Sequence, residues 1–313
     1  MRIRDGEFER KHRGEQWKWS AASTPFTSVP RRTIVNSRFG SVTHELVPLA
    51  AGVYAWLAEE PSHSQTNSGA VIASDGLTVI DAGLTPLSAA PFAETLRQLS
   101  PLPVRRLVLT GSHIDLVGGS AAFPLAAVYG SSQTSAHLDQ PANPGVWSCL
   151  HPDYSSEFAE LTTRPVTHTV IKAAHLCPAS IAVPISGTQF ENLAVQVPGA
   201  DVVFAGALAS FGTVPLGFEA DFPAWKAALD EVALYGQIFI PAHGPIGGTE
   251  EIDVLGHYLQ ACIDADGELT RLGDGPWSTW TNQSFHPVNV ERAAMLGAGD
   301  PSPPPSMLTL LER

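Results

Sequence analysis

An α/β domain with one main core is the fold this sequence predicts, and three observations carry the prediction. Short apolar runs bounded by Gly, Ser and Asp recur from Val42 onward. Stripes of helical period are interleaved with them. Composition agrees: 44% hydrophobic against 16% charged residues over 313 positions leaves ample apolar surface to bury.

The elements follow in order. Leu46 to Leu57 reads as strand, turn, strand, and Ser68–Ala73 with Leu77–Asp81 flank a Ser74-Asp75-Gly76 turn as a hairpin. Pro86 to Leu99 places Ala89, Phe92, Ala93 and Leu96 on one face, so a helix is expected there. Arg105–Thr110 is a buried strand, Gly118-Gly119-Ser120 opens a short helix by close packing, and Ala126–Tyr129 is a further strand. Residues 137–180, rich in Pro, His and Ser, are expected to form a lid with one short helix at 154–161. Ala194 to Gly206 reads as strand, tight turn, strand. Asp221 caps a helix running through Trp225, Leu229 and Val232; Ile238–Gly244 ends on a histidine loop, and 249–271 is helical.

Charge is uneven. The net charge is −13, yet residues 1–38 hold nine Lys/Arg against four Asp/Glu. An acidic body repels polyanions, so neither nucleic acid nor an anionic membrane is expected as a partner. Residues 1–40 read as a basic N-terminal arm, and two readings stand for it: a partly disordered tail, or an arm whose Trp17 and Trp19 dock on the acidic body of its own or a partner subunit, the latter giving a homodimer through the arm. The main domain then spans 41–295, and 296–313 is a C-terminal tail that frays near Pro301–Pro305. A polar start without a following apolar stretch, and no run of 18 apolar residues, point to a cytoplasmic protein. Cys149, Cys177 and Cys262 are widely spaced without a Cys-x-x-Cys pair, which argues against a disulfide framework or a cysteine zinc site.

Five segments together resemble the metallo-β-lactamase superfamily: Asn67–Ile72, Val79-Ile80-Asp81-Ala82-Gly83, Leu109–Gly119, Val203-Phe204-Ala205-Gly206-Ala207 and Pro241-Ala242-His243-Gly244-Pro245. The resemblance covers roughly 42–290. It implies a four-layer αββα sandwich with a zinc site in the loops at one edge. It also implies a strand-end loop reading His-x-His-x-Asp-His, where this chain has Gly111-Ser112-His113-Ile114-Asp115-Leu116. The family's bridging Asp is Ala207 here, and no His lies between His175 and His243 to supply the upstream ligand. His113, Asp115 and His243 alone keep donor side chains at matched positions.

Zinc takes three or four protein ligands in tetrahedral geometry, so these losses argue against a two-metal centre. The expectation is a metal-independent enzyme of hydrolase, lyase or cyclase type acting on a small organic molecule. His113 and His243 serve as acid/base groups and Asp115 as their orienter. Gly111, Leu116, Ala207 and Asp81 are expected to form the substrate pocket, with Asp81 also holding the loop through backbone hydrogen bonds. No cofactor is expected. Two alternatives stand beside this reading: a non-catalytic binding or scaffold protein, and a zinc hydrolase holding one ion weakly on His113, Asp115, His243 and a lid residue such as His175. Other lid residues (Cys149, His151, His168, Cys177) and Glu219 carry weaker signals.

Overall fold

In a computed structural model, the described residues are 8–9, 18–19, 32–37, 40–59, 63–188 and 191–312, with side chains from 44 onward. Two sheets dominate. The first runs β10(His168–Thr169), β9(Ala127–Gly130), β8(Val104–Val108), β7(Gly76–Ile80), β6(Ser68–Ala73), β5(Val53–Ala58), β4(Gly40–Ala50), β3(Arg32–Ser37). Neighbours from β3 to β7 are antiparallel, and β7, β8, β9 and β10 are parallel. The second runs β11(Ala174–Cys177), β12(Ser180–Ile185), β13(Asn192–Val197), β14(Val202–Ser210), β15(Ile238–His243), with only the β14–β15 pair parallel.

Strand alternation explains why the sheets stack. Along β5, Val53 and Ala55 face the second sheet while Tyr54 and Trp56 face outward under α1(Pro86–Leu99). Along β13, Leu193 and Val195 face the first sheet, while Ala194 faces α6(Phe222–Val232) and α7(Thr249–Asp264). Three apolar layers result: α1 on the first sheet through Phe92, Leu96, Leu77 and Leu107; sheet on sheet through Ile80, Val108, Phe204 and Ile240; and α6 and α7 on the second sheet through Trp225, Leu229, Leu255 and Phe239. The architecture is therefore the expected αββα sandwich. The sheets meet so closely at Gly69 that a Cβ there would lie 2.2 Å from the Phe204 ring.

Several elements differ from expectation. The strand β12 is internal to its sheet although it contains Pro184. It is tolerated because β11 pairs only as far as Ala182, which leaves no partner for the missing N–H. The 249–271 helix stops at Asp264, where Asp266 and Gly267 turn left-handed at φ 51° and 82°. The lid carries α3(Ser132–Leu138), α4(Pro144–Leu150) and α5(Ser155–Phe158), the last shorter than the expected 154–161 helix.

Where a fraying tail is expected, the described residues 296–312 carry structure: α8(His286–Gly297) runs into this segment, and α9(Pro305–Leu311) starts at the proline run. Met307 is buried, and Ser306 bonds Glu291 through N (2.8 Å) and Oγ (2.6 Å). Within 1–40, the short ladder β1(Phe8–Glu9) with β2(Lys18–Trp19) and the edge strand β3 are described. Trp17 and the side chain of Trp19 lie outside what is described, and with them the expected docking and the dimer through the arm. No helix among the described residues is long and apolar enough to cross a membrane.

Candidate active site

The loops at one edge of the sandwich are tied together by buried polar groups, and this fixes the site. Asp81, at φ 56°, accepts from Thr110 N (2.8 Å) and Thr110 Oγ1 (2.7 Å); that hydroxyl also accepts from Ala207 N (3.0 Å). One carboxylate thus fastens the end of β8 to β14 of the other sheet. Gly206 permits the approach, since at φ +49° a Cβ would lie 2.2 Å from Thr110 Oγ1.

Across the cleft, Asn67 donates through Nδ2 to Pro241 O (3.0 Å) and Gly244 O (2.8 Å), and its Oδ1 accepts from Ala58 N (3.1 Å). This holds the His243 loop against the segment leading into β6. Thr66 Oγ1 donates to Asp115 O (2.6 Å), joining the same segment to the short helix α2(Ile114–Val117) that His113 precedes.

These ties bring together all three expected acid/base residues. His243 Nε2 lies 3.0 Å from Asp115 Oδ2, and its Nδ1 lies 3.2 Å from Gln65 O. A carbonyl oxygen only accepts, so Nδ1 carries a proton, and Nε2 faces the carboxylate. His113 stacks on Phe218 at 5.9 Å between ring centres, with Nε2 3.7 Å from Glu219 Oε2. Two imidazole–carboxylate pairs therefore stand side by side. The His113 and His243 side chains are 28% and 15% exposed against 6% for Asp115, so the rings reach the cleft while the carboxylate lies behind them.

Electrostatics separates the groups. Burial works to raise the Asp115 carboxyl, but the hydrogen bond with His243 and the nearby His243, His113 and His63 rings outweigh it. They hold the carboxyl well below the usual range. For His113, burial opposes the charged form, yet Glu219 and, behind it, Asp115 win and raise it above 6.5. Burial pushes His151 down to about 4 and His63 well below 6.5.

The pocket expectations divide. Ala207 is half-buried at the cleft, and Gly111 is buried in the loop. Leu116, expected in the pocket wall, is instead 1% exposed and packs with Leu84, Ala89 and Phe92 in the layer under α1. Asp81 is likewise not a lining residue: it is 1% exposed and holds the loop from beneath, which is its other expected role. The chain turns Leu116 inward because α2 is one helical turn, whose O at residue 116 accepts from Ala82 N (2.8 Å).

Of the lid residues, His175 is exposed on the edge strand β11, and His168 stacks on Tyr129 at the opposite edge, so neither joins the site. His151 does. Its ring stacks on His63 at 4.6 Å, and His63 lies 6.1 Å from the His243 ring. Sequence reasoning missed His63, Ser64, Gln65 and Phe218, which sit in aperiodic loops. Their one legible signal is adjacency to residues already singled out, Asn67 and Glu219.

The donor set does not fit the two-zinc centre that the resemblance implies. Gly111 and Ala207 offer no side-chain donor, Leu116 points into the core, and Asp115 and His243 direct their facing atoms at each other. Among the described residues, no three His, Cys, Asp or Glu side chains gather into a metal-binding group.

An αββα sandwich with paired edge loops at the ends of β8 and β15 defines a class of protein, and the comparisons agree. The sequence profile of the metallo-beta-lactamase superfamily matches residues 62–274, and the chain belongs to that superfamily. Among solved structures, it is similar to the metallo-beta-lactamase FIM-1 from Pseudomonas aeruginosa in its mono-zinc form. That match has 20% identity and a TM-score of 0.56 over 74% of this chain and 98% of the other. It is also similar to a metallo-beta-lactamase from Erythrobacter litoralis, at 18% identity and TM-score 0.55 over 72% and 98% of the two chains. A third, from Hirschia baltica, matches at 18% identity and TM-score 0.54 over 68% and 96%.

Proposed function

We propose that this chain is a metal-independent enzyme that acts on a small organic molecule by general acid–base catalysis, in a hydrolase, lyase or cyclase type of reaction. The observation that carries the reading is the pair of imidazole–carboxylate contacts on one cleft, Asp115 with His243 at 3.0 Å and Glu219 with His113 at 3.7 Å. The hydrogen bond with Asp115 fixes the orientation of the His243 ring, and the nearby Glu219 carboxylate stabilises the charged form of His113, which suits it to proton transfer at neutral pH. His113, raised above 6.5 by Glu219, is the proton donor in this scheme, and Asp115 and the Gln65 carbonyl hold the His243 ring in place between them.

The test is turnover by chelator-dialysed protein of chromogenic esters, lactones, β-lactams and β-elimination substrates. Activity that survives chelation and falls by about 10²- to 10⁴-fold in His243→Asn and His113→Asn supports the reading. Activity that appears only when zinc is added back favours the one-zinc hydrolase. Ligand-induced stabilisation without any turnover favours a binding protein.

A further inference from the structure

The acid–base scheme leaves one hydroxyl of the site unused. Ser64 Oγ lies 2.8 Å from His151 Nδ1, and it sits between two residues that touch the rest of the site: His63, stacked on His151, and Gln65, whose carbonyl accepts from His243. The His151 ring is buried between two aromatic neighbours, and its main chain is anchored. His63 covers one face at 4.6 Å, Phe158 lies tilted at 6.2 Å, and the backbone N–H of His151 donates to Trp147 O (2.8 Å) at the end of α4. Ser64 is only partly buried and borders a small cavity with Gly83 and Ser88.

A hydroxyl in hydrogen-bond reach of an imidazole fixed by its surroundings is the arrangement of an activated nucleophile with its base. We propose that Ser64 is a catalytic nucleophile with His151 as its general base, and that the substrate class is an activated acyl compound: an ester, thioester or lactone. This rests on the acid–base reading of the same site and narrows it to acyl transfer.

In the first half of the reaction, the Ser64 O–H proton passes to His151 Nδ1 while the Oγ electron pair bonds the acyl carbon and the carbonyl π pair moves to oxygen. When the carbonyl re-forms, the bond to the leaving alkoxide or thiolate breaks, and that group takes the proton from Nδ1. Water then repeats the sequence: its proton goes to Nδ1, its oxygen bonds the acyl carbon, and Ser64 Oγ departs and regains the proton. The products are a carboxylic acid, an alcohol or thiol, and the starting enzyme.

The experiment is covalent labelling of the full chain with an alkyl fluorophosphonate, read by intact mass and peptide mapping. The expected result is a single phosphonyl adduct on the peptide bearing Ser64, absent in Ser64→Ala and formed at least about tenfold more slowly in His151→Asn. The Ser64→Ala comparison decides the matter alone if His151→Asn fails to fold, and Ser64→Cys is expected to move the reactivity to iodoacetamide at the same position. An unlabelled wild type, or an adduct that persists in Ser64→Ala, overturns the proposal. The two readings fail separately: labelling of Ser64 with turnover indifferent to His243→Asn removes the acid–base scheme, whereas His243-dependent turnover without labelling removes the nucleophile.

Discussion

Replacing Asp81 by Asn is expected to change how stability depends on pH, and the size of the change follows from where the carboxyl sits. It is 1% exposed, and its oxygens accept the Thr110 N–H and O–H at 2.8 and 2.7 Å. Burial pushes it from 3.8 up to about 7, against the two Thr110 bonds that favour the ionised form. A carboxyl raised on folding keeps its proton over a range in which the unfolded chain has released it. The stability it contributes is therefore complete below about pH 4 and is lost as the pH rises to about 7. At about 1.4 kcal/mol per pH unit, that span bounds the loss at roughly 4 kcal/mol.

In Asp81→Asn, the amide oxygen would still accept the Thr110 N–H, but the amide nitrogen would turn toward Thr110 Oγ1, which already accepts from Ala207 N at 3.0 Å. The variant should start about 1–2 kcal/mol less stable at pH 5. It carries no titrating group at this position, so its stability relative to wild type should rise by about 2 kcal/mol or more by pH 8, which removes the deficit and brings the variant level with or above wild type. Urea denaturation of both proteins at pH 5, 6, 7 and 8 measures this, and contributions from all other groups cancel in the difference. Parallel stability profiles, or a deficit that widens with pH, would refute the reasoning.

Gly206→Ala drives a Cβ to 2.2–2.5 Å from the Thr110 side chain at a φ of +49°, and should lower Tm by at least about 5 °C in a thermal scan; an unchanged Tm contradicts the packing described. Asn67→Ala removes the two side-chain hydrogen bonds that hold the His243 loop to the β6 segment, and it leaves the Ala58 N–H bare. The expected loss is about 2–4 kcal/mol by urea denaturation, and a loss below the noise counts against the tie. Glu219→Gln withdraws the charge that holds His113 protonated, so the His113 titration followed by NMR should move down toward or below 6.5; no movement means another group raises it.

Much of the fold was legible because local pattern and tertiary demand agree. The Ser74-Asp75-Gly76 hairpin and the α1 stripe at Ala89, Phe92 and Leu96 fall where the structure has them, and Asp221 caps α6 through Ala224 N (2.9 Å). Where they conflict, the sequence misled. Pro184 disguises β12, and Pro301–Pro305 suggests a fraying end where Pro305 in fact begins a helix.

The site was half legible. The Asp115–His243 contact was readable because both residues sit in strand-end loops with a recognisable frame. Leu116 was misplaced because spacing gives a position, not the direction in which a one-turn helix points its side chain. His63, Ser64 and His151 meet across 87 residues of sequence separation, which no local pattern encodes.

The central claim is that the edge loops now hold a proton-transfer site in place of a pair of metal ions. The most direct test is the zinc content, by elemental analysis, of folded chain equilibrated with excess zinc and freed of unbound ion. The account predicts well under one zinc per chain, unaltered by His243→Asn; two zinc ions per chain, lost with that substitution, would contradict it.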